Sequence, residues 1–98
     1  MTRSARQAAV IGGNRIPFAR ANGAYAQATN LDMLTATLDG LAARFGLAGA
    51  ALGEVAGGAV LKHSRDRDLT REAVLGSRLS PYTPAYDVQQ ACGTGLET

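Results

Sequence analysis

Apolar and polar positions follow three different patterns along this chain, and each predicts a different element. Ala8–Ile11 is a short unbroken apolar run stopped by Gly12-Gly13, a length and a stop that predict a buried strand rather than a helix. Asn14–Asn30 has no period, is rich in Gly, Ala and Asn, and carries Pro17, which a continuing central strand does not tolerate. It reads as a long loop, and loops of that length in compact domains usually serve a function. Leu31, Leu34, Leu38, Leu41 and Phe45 then recur at spacings of three and four, the mark of one helix face. Asn30 is placed to cap the start of that helix and Gly46 to end it.

Val55–Leu61 (VAGGAVL) returns to a nearly continuous apolar run and predicts a second buried strand, in which Gly57-Gly58 admits close approach of another backbone. The polar stretch Lys62–Asp68 is a loop. Asp68 or Thr70 is placed to cap a second helix reaching Leu79, and Pro81 and Pro84 forbid its continuation. Ala85–Gln90 predicts a third short strand that runs into Cys92. Strands alternating with helices call for parallel pairing through right-handed crossovers, hence an α/β layered fold. The segments after Ile11, Leu61 and Gln90 should then share one sheet edge, where functional groups gather in such folds.

Composition narrows the function classes. The chain has 98 residues, 46% of them hydrophobic, enough for one modest domain with a core. A net charge of +2, with the basic residues scattered, gives no stripe for a nucleic acid backbone and no polybasic membrane patch. Met1–Gln7 holds two arginines and no acid but leads straight into the apolar stretch, and is expected to be a short leader. No apolar run approaches the length that crosses a bilayer, and a single cysteine forms no internal disulfide, so a cytoplasmic, reducing setting is expected. No internal repeat is visible.

Cys92 lies where the last strand should turn into a helix, among small residues, in Gln89-Gln90-Ala91-Cys92-Gly93-Thr94-Gly95-Leu96-Glu97. Free N–H groups at a helix start favour a thiolate and can donate to the oxyanion formed when it attacks a carbonyl. A helix end contributes only about 0.3–1 kcal/mol at an exposed site. One pKa unit is about 1.36 kcal/mol, so a thiol near ~8.5 stays mostly protonated at neutral pH without a basic partner. His63 is the one histidine and its loop is expected on the same sheet edge, which makes it the candidate base. The competing reading of Cys92 is a packing residue, and of His63 a solvated loop residue. Gly93-Thr94-Gly95 also opens a G-x-G-x-x pattern, but Thr98 stands where a dinucleotide loop has its third glycine. Gly12-Gly13 and Gly57-Gly58 lack the Lys and Ser/Thr of a phosphate loop and are structural.

Two signatures carry a family resemblance. Arg15-Ile16-Pro17-Phe18 after the first strand and Cys92-Gly93-Thr94-Gly95-Leu96-Glu97 after the third resemble the N-terminal signatures of thiolases. Lys62-His63-Ser64-Arg65-Asp66 and Leu69-Thr70-Arg71-Glu72 resemble the branch of the β subunit of the fatty-acid oxidation complex. The resemblance implies a thiolase-like layered fold, of which residues 1–98 form a partial N-terminal domain, truncated just after the nucleophile turn. It implies a CoA-dependent acyltransferase of fatty acid metabolism, performing thiolytic cleavage of 3-ketoacyl-CoA or the reverse Claisen condensation through an acyl-enzyme on Cys92. Coenzyme A is then a substrate, and no permanently bound cofactor and no metal is expected.

Thiolases draw an activating His, a second Cys and a further oxyanion donor from a second half with the same topology, and these residues have no counterpart here. The resemblance therefore demotes His63 from base to a loop residue lining the acyl pocket, and leaves this segment inactive alone. Acyl-CoA and CoA are the implied partners, with a homodimer or homotetramer and a fatty-acid oxidation complex as the implied assemblies. Two alternatives stand beside this reading: a ketoacyl synthase, which shares the fold, and a non-catalytic thiolase-like protein serving as lipid carrier or assembly subunit.

Overall fold

The helix predicted from the three-four leucine spacing spans Asn30–Phe45 (α1) in the computed structural model, which describes residues 5–98. The leader expected over Met1–Gln7 thus lies in part outside the described residues. Thr29, rather than Asn30, is the N-cap of α1. Its hydroxyl accepts the Asp32 N–H at 3.0 Å, and the Asp32 carboxylate accepts the Thr29 N–H at 2.9 Å. This reciprocal box satisfies helix-start donors that would otherwise face water. Asn30 is free to bond elsewhere, and its Nδ2 donates to Leu61 O at 2.8 Å, tying the helix start to a distant loop. Gly46 ends α1 in the left-handed region, φ 65°, with its N–H returned to Ala42 O.

Val55–Gly57 (β1) and Ala85–Asp87 (β2) form a parallel two-stranded sheet in the register Val55↔Ala85, Ala56↔Tyr86, Gly57↔Asp87. Leu69–Gly76 (α2) crosses between them, the expected βαβ unit of an α/β fold. Both strands are shorter than the predicted Val55–Leu61 and Ala85–Gln90. A Cβ on Gly58 would lie 2.2 Å from Val88 O and 2.6 Å from the Thr94 methyl. The two chains thus converge where the ladder stops, and beyond it side chains take over the joining, as when Gln89 Nε2 donates to Val60 O at 3.1 Å.

α2 ends at Gly76 rather than Leu79 because the residues after it are bonded elsewhere. The Arg78 N–H donates to Asp39 Oδ1 at 2.7 Å, and its carbonyl accepts the Gly49 N–H at 2.7 Å. At the other end Asp68 occupies the cap position but makes no side-chain cap bond. Asp87, at the end of β2, caps the helix instead: Oδ1 accepts the Thr70 N–H at 2.8 Å and Oδ2 the Leu69 N–H at 3.1 Å.

α2 packs on both the sheet and α1, and Leu69, Ala73, Val74, Ala42 and Leu79 form the buried core. Removing a Leu or Val side chain from water stabilises the fold by about 1.5–3 kcal/mol. Polar groups pin the connection into β2. Thr83 is fully buried and its Oγ1 accepts the Leu52 N–H at 3.1 Å. Arg71 spans the turn before β2, donating Nη1 to Thr83 O at 2.7 Å and Nη2 to Pro81 O at 3.0 Å.

The predicted first strand does not form. Residues 8–11 have no ladder partner among the described residues, and Val10 and Ile11 are 96% and 85% exposed. They lie beside α1, where Val10, Ile11 and Gly12 share an apolar hollow with Leu41, Phe45 and Leu47. An apolar run becomes a strand only where another strand offers its N–H and C=O groups. The segment that follows is held along α1 as well, through Arg44 Nη1 to Gly13 O at 2.7 Å and Asn14 Nδ2 to Thr37 O at 3.0 Å.

Candidate functional site

Past Asp87 the chain enters a single 3-10 turn, Ala91–Gly93, which passes directly into a short helix, Thr94–Glu97 (α3). Cys92 stands in the middle of that turn as an exposed free thiol. The residue before it, Ala91, holds φ 44°. A left-handed backbone costs a residue with a Cβ about 1–2 kcal/mol, so the surroundings must enforce it. The Gly93 N–H closes the turn on Gln90 O at 2.8 Å. Among the described residues the Cys92 N–H has no hydrogen-bond partner, which leaves a donor beside the sulfur for an incoming carbonyl oxygen. A Cβ on Gly95 would meet nothing within 4 Å, so the start of α3 that follows the turn is open at that residue.

Thr94 is the residue that organises the turn. It is 3% exposed, its Oγ1 accepts the Gln90 N–H at 2.8 Å, and the same hydroxyl donates to Ala91 O at 2.8 Å. Its methyl group rests against Gly58 at the end of β1, so the turn is seated on the sheet edge as well as closed on itself.

His63 has an exposed side chain with no hydrogen bond among the described residues, and none joins it to Cys92. Its backbone N–H instead donates to Asp66 Oδ2 at 3.0 Å. Asp66 is buried and also accepts from Asn30 Nδ2 at 3.4 Å, so it anchors the 62–68 loop to the start of α1. The candidate base is thus a rim residue of a loop that Asp66 holds in place. Asp87 ties the same region together from below, with Lys62 Nζ 3.5 Å from Oδ2. Partial burial pushes the Asp87 carboxyl up, but the bonds from Thr70 and Leu69 and the charge of Lys62 outweigh it and hold the group below its ordinary 3.8.

Of the three segments expected at one sheet edge, two meet: those after β1 and β2, through Gly58, Thr94, Gln89 and Val60. The third, with Arg15-Ile16-Pro17-Phe18, packs on α1 instead. Arg15 lies over the Phe18 ring at 4.7 Å, Tyr25 Oη donates to Pro17 O at 2.8 Å, and Ile16 and Pro17 line a hollow together with Met33. Among the described residues no group of three or more His, Cys, Asp or Glu side chains could hold a metal ion, and no helix is long and apolar enough to cross a membrane.

Sequence reading missed Thr94, Asp87 and Asp66. Thr94 had one visible signal, a hydroxyl residue two places after the cysteine and between two glycines. Asp87 had none, since what it binds is far along the chain, and Asp66 had only its local reach to the His63 N–H, its other partner Asn30 being distant.

The family profile described as thiolase, N-terminal domain, matches residues 8–98. Over 97 residues, 99% of this chain, the sequence is 32% identical to a 3-ketoacyl-CoA thiolase of Yersinia enterocolitica and to one of Serratia proteamaculans. It is 30% identical over the same length to a 3-ketoacyl-CoA thiolase of Yersinia pestis. The chain spans 22% of the length of each of these relatives.

Proposed function

This chain belongs to the thiolase family, and from that premise we propose that it carries the nucleophile of a CoA-dependent acyltransferase, with Cys92 as the acyl-accepting residue. The observation that carries the reading is the exposed thiol of Cys92 on a strained turn at the carboxyl end of a parallel strand, beside an unused N–H. The reaction is thiolytic cleavage of a 3-ketoacyl-CoA, or its reversal. The Cys92 thiolate attacks the keto carbon, the bond to the adjacent methylene breaks, and that carbon takes a proton and leaves as acetyl-CoA. The acyl group stays on sulfur as a thioester, which the thiol of a second CoA resolves. The Cys92 N–H serves as one oxyanion donor.

Residues 1–98 then form the first part of a longer polypeptide, and the base and the second thiol come from outside them. Acyl-CoA and CoA are the substrates, and assembly as a homodimer or homotetramer, with an oxidation-complex partner, follows from the same reading. A reducing, cytoplasmic setting suits a catalytic thiol. His63 is a rim residue of the acyl pocket, a role supported by its exposed side chain on the loop that Asp66 anchors. The likeness to 3-ketoacyl-CoA thiolases favours this reading over a ketoacyl synthase.

The test is trapping of the acyl-enzyme. The whole protein that carries these residues, incubated with a 3-ketoacyl-CoA and no free CoA, should hold an acyl group on the Cys92 peptide by mass spectrometry, and added CoA should discharge it. Absence of that adduct, or full acyl transfer by a Cys92→Ala variant, overturns the reading in favour of a non-catalytic carrier or assembly protein.

A further inference from the structure

We propose that Thr94 is the positioning residue of the Cys92 turn, acting through its hydroxyl rather than through its bulk. The inference rests on the reading of Cys92 as nucleophile and adds to it the device that presents the sulfur.

Of the backbone groups just before Cys92, the Gln90 N–H has no backbone partner among the described residues, while the Ala91 carbonyl accepts the Thr94 N–H that closes the turn. One oxygen links the two, since Thr94 Oγ1 accepts from the first and donates a further bond to the second, each at 2.8 Å. The hydroxyl hydrogen is thereby committed to Ala91 O, and the oxygen's acceptor capacity is directed at Gln90. The bridge brackets the residue with φ 44° and so supplies a reason for that backbone conformation to persist. Ala91 in an ordinary conformation would point Cys92 and its N–H in a different direction. The methyl half of Thr94 has its own contact, against Gly58, whose missing side chain leaves the room, so hydroxyl and bulk can be tested apart. The chain of cause runs from one buried hydroxyl, through the backbone of residues 90 and 91, to the orientation of the thiol.

Hydroxyl and bulk make opposite predictions for two substitutions. Thr94→Ser keeps the bridge and loses the methyl, whereas Thr94→Val keeps the volume and loses the bridge. In the whole protein, kcat for acyl transfer should fall about tenfold in T94V, the factor that corresponds to one ordinary hydrogen bond, with KM for the acyl-CoA little changed. T94S should retain most of kcat. Glycine adopts a positive φ without a Cβ penalty, so placing T94V in an Ala91→Gly background should restore part of the loss relative to A91G alone. A merely structural role for Thr94 predicts no such rescue. The proposal is overturned if T94V keeps its kcat, or if T94S falls as far as T94V. Should T94V fail to fold by circular dichroism, T94S alone decides, because loss of kcat there assigns the role to the methyl. Failure of the nucleophile reading is separate: it appears as the missing acyl adduct on Cys92 in the unsubstituted protein.

Discussion

Val10 and Ile11 are as apolar as Leu69 and Val74, yet the first pair is 96% and 85% exposed while the second is 1% and 0%. The difference lies in what each stretch can reach. Residues 69–76 sit between two strands that pair with one another, and Asp87, Arg71 and Thr83 fasten them to what comes before and after. Residues 8–11 lie beside α1 and Leu47, and a helix whose backbone groups bond one another presents no strand ladder to join. Hydropathy says which residues gain by leaving water, and hydrogen-bond partners decide which of them become a sheet.

That contrast can be broken by substitution. Leu69→Ala should lower stability by about 2–5 kcal/mol, the usual cost of emptying a core position, read by equilibrium urea unfolding. Asp87→Ala, which strips the cap from α2, should cost about 1–2 kcal/mol in the same assay. Acid should erase that second difference. The folded carboxyl lies below 3.8, so its stabilisation is present above that value and is lost as pH falls through the folded value. The unfolding midpoints of the original protein and of Asp87→Ala should therefore converge on acidification, and a gap that widens instead would remove Asp87 as the cap. Thr29→Ala, which opens the box at the start of α1, should cost about 1 kcal/mol, seen as a loss of helical signal at 222 nm on mild heating. Ile11→Ala should change stability by no more than about 0.5 kcal/mol. A loss matching that of Leu69→Ala would place residues 8–11 inside the core and dissolve the distinction.

How much of this was readable in the residues follows the same division. The leucine period and Gly46 announced α1 because a helix is held by bonds within itself. The parallel βαβ order was readable for a related reason, since element alternation constrains topology. Strand lengths were not, because the predicted strands Val55–Leu61 and Ala85–Gln90 continue past the point where Gly58 and Thr94 bring the two segments close together. The cap of α1 was misassigned by one residue, although Thr29 and Asp32 stand at the spacing of a capping box. The place of Cys92 at the strand-to-helix turn was visible from its glycine neighbours. The left-handed backbone at Ala91 was not, because alanine carries no mark of it. His63 looked like a partner for Cys92 because it is the one histidine, and its exposed, unbonded side chain gives that pairing no support.

Arg71 lends the turn before β2 something its own residues lack. Prolines at 81 and 84 have no backbone hydrogen to give, and the guanidinium stands in for the missing amides by holding the carbonyls at 81 and 83 from one rigid plane. The turn is thereby made an annexe of a helix ten residues upstream. Fraying of α2 withdraws those borrowed donors, so its amides and those of residues 82–83 should exchange with deuterated solvent as one cooperative unit rather than two. An ammonium group, which reaches a single point, would leave one of the two carbonyls bare.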